Sequence, residues 1–387
     1  MRVLHIITRM IVGGAQENTR YNCLDLVREH GDEVTLITGP TRGAEGKLLE
    51  AAKDPDLAVI VVPPLIRSII PWHDVRAYRQ LRRLLQSIRP DVVHTHSAKG
   101  GILGRAAAWS LRVPCIVHTV HGAPFHPYQS SPTRKFYIAC ERWAAKRCHH
   151  MISVADAMTD LMVEAKVAPR DKFTTVYSGM DVEPFVRAHE LRDQTRRELG
   201  LGPEHVVVGK IARLFPLKGH EYVLAAAKQV IRKHPEARFL WVGDGILRES
   251  FEQQIRRFDL QKHFILTGLQ RPERIPALVG AMDILVHASL REGLARALPQ
   301  ALIAGKPVVS YDVDGAREVV IHGETGWLLP PKAIEPLADS ISSLIADPRL
   351  RENMGRTGQL RFTDLFKHQT MTERVREIYA MVLRGAG

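Results

Sequence analysis

Residues 289–309 read Ser289-Leu290-Arg291-Glu292-Gly293-Leu294-Ala295-Arg296-Ala297-Leu298-Pro299-Gln300-Ala301-Leu302-Ile303-Ala304-Gly305-Lys306-Pro307-Val308-Val309. An apolar run at 284–287 precedes the stretch and another at 307–311 closes it, so it spans a strand end, a polar loop, a helix, a glycine stop and the next strand. Glu292 falls at the strand's end beside Gly293, where a new helix is expected to start. A carboxylate there suits contact with a sugar hydroxyl beside an anion-attracting helix N-terminus. A capped helix start with Glu292 turned to solvent accounts for the same letters equally well.

The same rhythm extends in both directions. Apolar strands at 206–212, 239–242 and 263–267 precede the stretch, with helical patterns between them. An earlier series lies at 3–8, 34–38, 57–62, 91–96, 115–120, 151–154 and 173–176. Buried parallel strands read as continuous β-branched runs, so both series predict a parallel sheet covered by helices. Gly and Pro punctuate the pattern at 178–184, which marks the join. The predicted architecture is α/β: two doubly wound, Rossmann-like domains facing each other across a cleft, with a C-terminal helix returning to the first. Their expected bounds are 1–178 plus about 365–387, and 185–364. Ligands bind such sheets at the carboxyl ends of their strands.

The 387 residues carry 54 Lys and Arg against 42 Asp and Glu, a net +12, which favours anionic partners. Nine of the cations, Arg67, Arg76, Arg79, Arg82, Arg83, Arg89, Lys99, Arg105 and Arg112, lie between residues 65 and 112 with only Asp74 and Asp91 among them. A solvated helix explains them, as does a surface that meets anionic lipid. They come without a recognisable RNA or DNA module, so nucleic acid is disfavoured. No apolar stretch approaches the ~20 residues that cross a bilayer, and a soluble, cytoplasmic chain is expected. Four cysteines are too few for a disulfide framework at this length.

Several short motifs sit at strand ends. Gly13-Gly14 follows the first strand, where backbone N–H groups could approach a phosphate without Cβ obstruction. His94 and His96 alternate along a strand and share one face, but no third ligand is placed by the pattern, so no metal is expected. Cys140 and Cys148-His149-His150 read as a packed helix face rather than a zinc set, lacking any CxxC pair. Asp312-x-Asp314 looks like a metal-binding pair but follows a second-domain strand into Gly315-Ala316-Arg317-Glu318.

Together these motifs resemble the retaining glycosyltransferases of family 4, which have the two-domain GT-B fold. The residues that carry the resemblance are Glu292, the seven residues after it, Gln300, and Ala304-Gly305-Lys306-Pro307-Val308-Val309. Its other anchors are Gly13-Gly14-Ala15, His94-Thr95-His96-Ser97-Ala98-Lys99-Gly100, Thr119-Val120-His121-Gly122, Gly209-Lys210-Ile211-Ala212-Arg213 with Lys218-Gly219, Gly243-Asp244-Gly245, and Gly323-Glu324-Thr325-Gly326. The order of these anchors covers nearly the whole chain.

The resemblance implies a role for each matching position. Glu292 would hydrogen-bond a hydroxyl of the donor sugar, and Arg213 and Lys218 would neutralise the donor diphosphate. His121 would lie near the donor sugar. Gly13, Gly14, Gly243, Gly268, Leu269, Gly293, Leu294 and Ala295 would line the donor, and His96, Ser97 and Lys99 the acceptor side. Gln300 stands where the family has a second glutamate that holds the ribose, a hydrogen-bonding duty an amide can perform. The implied reaction moves a sugar, with retention, from a UDP-linked donor to a saccharide or lipid-linked saccharide in cell-surface glycan synthesis. No cofactor or essential metal is implied. Many relatives work at the inner face of the cell membrane, which adds an anionic membrane surface to the expected partners. A nucleotide-sugar epimerase or hydrolase, or a non-catalytic nucleotide-sugar or membrane-binding protein, remain the alternatives.

Overall fold

The computed structural model describes residues 1–41, 48–49 and 54–385. Residues 386–387, inside the expected first-domain bound, lie outside the described residues. The first sheet holds β1 (Arg2–Ile7), β2 (Glu33–Thr38), β3 (Ala58–Val61), β4 (Val92–His96), β5 (Cys115–Val120), β6 (His150–Ser153) and β7 (Phe173–Thr175). They lie in the order β3-β2-β1-β4-β5-β6-β7, every pairing parallel. The second holds β8 (Val206–Ile211), β9 (Ala237–Val242), β10 (Phe264–Leu266), β11 (Ile284–His287), β12 (Val308–Tyr311) and β13 (Gly326–Leu329). Their order is β10-β9-β8-β11-β12-β13, again all parallel. The chain forms two compact units, Met1–Met180 with the segment from Lys367 onward, and Asp181–Phe366.

In the first unit the strand period of two sends alternate residues to two separate cores. Leu4, Ile6, Val93 and Ile116 join Ala77, Leu81 and Leu85 of the helix Pro71–Ile88 and Ala107 and Ala108 of the helix Ala98–Ser110. Val3, Ile7, Val92 and Val117 face the other way, onto Leu24 and Leu26 of the helix Gly14–Arg28 and Met371, Val375, Ile378 and Tyr379 of the returning helix His368–Gly385.

The seam between those last two helices is polar. Asn18 Nδ2 donates to Ser178 Oγ at 3.0 Å and Asn22 Nδ2 to Thr372 Oγ1 at 3.3 Å. Thr372 Oγ1 in turn donates to Asp25 Oδ2 at 2.7 Å, and His368 Nδ1 lies 2.9 Å from the same carboxylate. Each partner of this seam removes the cost that the others would incur if buried alone.

The basic run from 65 to 112 divides on folding. Arg76, Arg79, Arg82 and Arg83 are exposed on their helix. Arg105 is not part of that surface: it is fully buried and its Nη2 donates to Glu141 Oε2 at 2.9 Å. Lys99 Nζ is held by Asp74 Oδ1 at 2.5 Å.

In the second unit β8, β9, β11 and β12 pack through Val208, Phe239, Trp241, Ile284, Val286 and Val309 against Val223, Ala227 and Val230 of the helix His220–Lys233 and Leu337, Ile341 and Leu344 of the helix Ile334–Ala346. The helix after Glu292 begins only at Ala297, four residues beyond Gly293, and runs to Ile303. Cys148 lies past the end of the helix Ser131–Ala145 and not on it. No helix among the described residues is long and apolar enough to cross a membrane.

The Arg105–Glu141 pair gives a direct test of packing. Glu141→Leu leaves the guanidinium buried without its carboxylate and should cost about 3–5 kcal/mol. The double variant Arg105→Met/Glu141→Leu should recover most of that loss. Urea midpoints of the three proteins measure it, and equal midpoints for the single variant and the native chain would contradict the pairing.

Candidate active site

In the second sheet β8 lies beside β11, and the chain continues from β8 to β9 on one side and from β11 to β12 on the other. Loops leaving the two neighbours therefore diverge and open a crevice at their carboxyl ends. Arg213 and Lys218 follow β8, and Glu292 follows β11. Lys218 Nζ donates to Glu292 Oε1 at 2.6 Å, and His287 Nε2, at the end of β11, stands 3.4 Å from the same oxygen. The backbone is anchored as well: Glu292 N donates to Asp314 Oδ2 at 2.6 Å, and Gly315 N to Gly293 O at 3.0 Å.

Charge at this corner is set by competing effects. Burial pushes the Glu292 carboxyl up, but Lys218 and His287 outweigh it and hold the group below the usual carboxylate range. Glu292 is thus a permanent anion near neutral pH, able only to accept hydrogen bonds. Burial lowers His287, partly offset by Glu292, so its imidazole is neutral. Beneath them Lys210 on β8 is fully buried, and its Nζ has no hydrogen-bond partner among the described residues. Burial brings that ammonium down to about 7, against the pull of Glu292.

The glycines here are set by close approach. Gly219 has φ 68° and a Cβ on it would stand 1.7 Å from Ala288 O, so the chain carrying Lys218 can press against the end of β11 only without a side chain. Gly243, after β9, donates its N–H to Gly268 O at 3.0 Å, joining two of the loops that carry expected donor residues. Leu269 beside them is 48% exposed. Arg213 is exposed, with its guanidinium 5.1 Å from the centre of the Phe215 ring. Leu294 and Gln300 are half-buried and Ala295 is buried.

In the first sheet the order reverses between β1 and β4. Gly13 and Gly14 lie beyond β1, Gly13 as the residue before the helix and Gly14 as its first. Ser97, beyond β4, adopts φ 61°, ψ 162°, a region that costs a non-glycine residue strain. Its hydroxyl accepts from Thr8 N at 3.1 Å and lies 2.6 Å from Thr8 Oγ1, tying the two loops together. Lys99 is occupied by Asp74 and by the Ser68 carbonyl. His96, expected on the acceptor side, is fully buried, between His5 and His121, because the strand alternation turns it onto the inner face.

His5, His94 and His96 bring ring nitrogens within 4.8 Å of one another, a spacing that could hold a metal ion. The third member was invisible in sequence, because only the pairing of β1 with β4 sets His5 opposite His94. The donor set suits a cation poorly. His94 is engaged at both nitrogens, by Tyr379 at 2.6 Å and Thr119 at 2.7 Å, and among the described residues no carboxylate acts directly on any of the three rings. His287 was not singled out, and Asp314, read in sequence only as half of a look-alike metal pair, instead accepts the Glu292 backbone N–H. Their signals, an Asp-Gly turn and a strand-terminal histidine, mean something only once β11 and β12 are neighbours.

Residues 13–179 match the family model "Glycosyl transferase 4-like domain" and residues 192–361 match "Glycosyl transferases group 1". The chain belongs to the family 4, group 1 glycosyltransferases. It is an enzyme of that class, with the GT-B fold. It is 28% identical over 329 residues to a UDP-Gal:alpha-D-GlcNAc-diphosphoundecaprenol alpha-1,3-galactosyltransferase of Escherichia coli, covering 84% of each chain. It is 22% identical over 366 residues to the capsular polysaccharide biosynthesis glycosyltransferase CapM of Staphylococcus aureus, covering 93% of each. The Anabaena protein HepE, crystallised with UDP-glucose, shares its fold with a TM-score of 0.83 at 22% identity, over 98% of this chain and 100% of that one.

For this glycosyltransferase, close approach at Gly219 predicts a graded glycine series. Gly200 has φ 69° with open space around it, so Gly200→Ala should cost only the left-handed backbone penalty of about 1–2 kcal/mol. Gly219→Ala adds a collision with the Ala288 carbonyl and should cost clearly more, read as the larger drop in thermal midpoint. Equal drops would mean that the loop shifts freely away from β11.

Proposed function

We propose that this glycosyltransferase moves a hexose, with retention, from a UDP-linked donor to a saccharide or lipid-linked saccharide in bacterial cell-surface glycan synthesis. The carrying observation is the meeting of Lys218 and Glu292 at 2.6 Å on the reversal between β8 and β11. The UDP donor and the lipid-linked acceptor are supported by the activity for which the E. coli relative is named.

In this reading Glu292, a held anion, accepts a hydrogen bond from a donor-sugar hydroxyl. Departure of UDP builds negative charge on the diphosphate, and Arg213 and Lys218 are fixed cations that favour the departed state over the ground state. Lys218 exchanges its bond with Glu292 for one with phosphate when the donor enters. Gly13 and Gly14 leave room for the phosphates, while Gly243, Gly268 and Leu269 border the base. Gly293, Leu294 and Ala295 shape the sugar pocket. Gln300 holds the ribose through its amide. His121 faces the donor sugar, and Ser97 and Lys99 form the acceptor side. The departing phosphate takes the acceptor's proton, so no enzyme carboxylate attacks the sugar, unlike the two-carboxylate retaining glycosidases. With two cations on the diphosphate, the reaction needs no metal.

Glu292→Ala and Lys218→Ala should each lower transfer by about 10²–10³-fold, the usual loss for a residue that stabilises developing charge. UDP-glucose and UDP-galactose should raise the native thermal midpoint, and both variants should keep the fold by circular dichroism. Full turnover in both variants would sink the site.

We further propose that the first unit works on an anionic membrane at the inner face of the cell membrane. Ile69 and Trp72 are 59% and 65% exposed beside Arg76 and Arg79, and Phe136 is 51% exposed beside Arg134 and Lys135. Exposed aromatic and basic residues together suit an interfacial contact. At low salt the protein should sediment with liposomes containing anionic lipid and remain in solution with neutral ones. Trp72→Ala should weaken the first association, and equal sedimentation with both liposomes would rule the contact out.

A further inference from the structure

His121 ends a buried line of imidazoles. Its Nε2 lies 3.0 Å from His96 Nδ1, and His96 Nε2 lies 3.0 Å from His5 Nδ1. The rings are stacked, with centroids 5.3 Å and 5.2 Å apart. At the far end His5 Nε2 is buried and has no hydrogen-bond partner among the described residues.

A neutral imidazole carries one N–H and one lone pair. Two hydrogen bonds in series are therefore satisfied only when every proton points the same way, so the tautomers of the three rings are linked. If the protons point toward His121, His5 ends in a bare lone pair and His121 keeps its hydrogen on Nδ1. If they point toward His5, that ring ends in an N–H buried without an acceptor. Orphaned buried N–H groups are rarer than under-used acceptors, which selects the first arrangement.

The surroundings also keep the two inner rings, His5 and His96, uncharged. The titratable and charged groups near the line are His94 on β4, His118 on β5 with Arg105 acting on it, Tyr379 on the returning helix, and Cys115, Cys23 and Asp32, which act on that tyrosine. Among the described residues, none of the groups acting directly on His5, His94 or His96 is a carboxylate that would stabilise an imidazolium. Burial moves His5 down to about 3 and lowers His94 and His96.

We propose that His5 and His96 are positioning residues that lock His121 as a neutral ring protonated on Nδ1, so that it serves the sugar site as a hydrogen-bond donor and not as a base. The catalytic half of this statement rests on the place given to His121 above; the tautomer itself does not.

The test reads ring ¹⁵N shifts in histidine-labelled native protein, with His121→Asn used to assign the signals. His121 should show Nδ1–H and bare Nε2, unchanged between about pH 8 and about pH 5.5, where an ordinary histidine titrates. In His5→Leu the ring should titrate, and kcat should fall about tenfold across the same interval, as a histidine of ordinary pKa becomes charged. The acceptor KM should stay within about twofold, since the variant touches no acceptor group. His5→Asn, whose amide N–H stands in for Nδ1–H, should restore the flat profile.

A native His121 protonated on Nε2, or one that titrates normally, overturns the lock without need of any variant. So does one equivalent of zinc in the purified protein that shifts the His5 and His96 signals. A native shift pattern as proposed, in a protein whose kcat ignores His121→Asn, keeps the lock and removes the catalytic reading instead.

Discussion

At the centre of each sheet the strand order reverses, and on that reversal the functional geometry depends. A parallel sheet covered on both faces leaves little room for polar side chains along its strands, so polar groups collect at the carboxyl ends. Where two neighbouring strands send their chains in opposite directions, those ends are also uncovered. Lys218 and Glu292 are 74 positions apart in the chain and meet there at 2.6 Å. In the first sheet the loops after β1 and β4 meet in the same way through Thr8 and Ser97. One topological constraint, used twice, places the strand-end groups of both units, while His5, His94, His96 and Lys210 lie within the strands themselves.

Net charge looks different once folding has spent part of it. Of the nine cations between residues 65 and 112, Arg105 lies wholly inside, neutralised by Glu141, and Lys99 is held by Asp74. The seven others, Arg67, Arg76, Arg79, Arg82, Arg83, Arg89 and Arg112, are exposed and remain for a partner. Counting letters cannot make this division. Whether a cation faces solvent depends on which carboxylate the tertiary structure brings to it, and Glu141 comes from a helix 36 positions away.

The strands were legible because burial on both faces demands uninterrupted apolar runs. Helix Gly14–Arg28 shows the limit of that logic. Asn18, Asn22 and Asp25 recur at helical spacing and are polar, yet all three are buried under the returning helix. Their partners, Ser178, Met371, Thr372 and His368, lie more than 150 residues further on, so no local pattern could announce the seam. Glu292 was legible from its place after β11, but the start of its helix was not. Asp314 and Gly315 hold the loop through Glu292 N and Gly293 O, and the helix waits until Ala297.

Burial does opposite things to the two kinds of group around the site, and the contrast explains why one carboxylate suffices. Imidazoles pay for desolvation by staying neutral: His287, His220, His94 and His96 are all lowered chiefly by burial. A carboxylate in the same interior would be pushed toward its acid form, and Asp314, with weaker compensation, is raised. Glu292 escapes because Lys218 and His287 outweigh the same penalty. Lys210, unpartnered beneath them and drawn down to about 7, adds cationic character only to the extent that Glu292 keeps its charge. The charge of Glu292 and the protonation of the lysine below it are therefore coupled. A hydrogen-bond acceptor of fixed charge results from that balance among β8, β11 and the loop at 218, and substitution of any member alters the others.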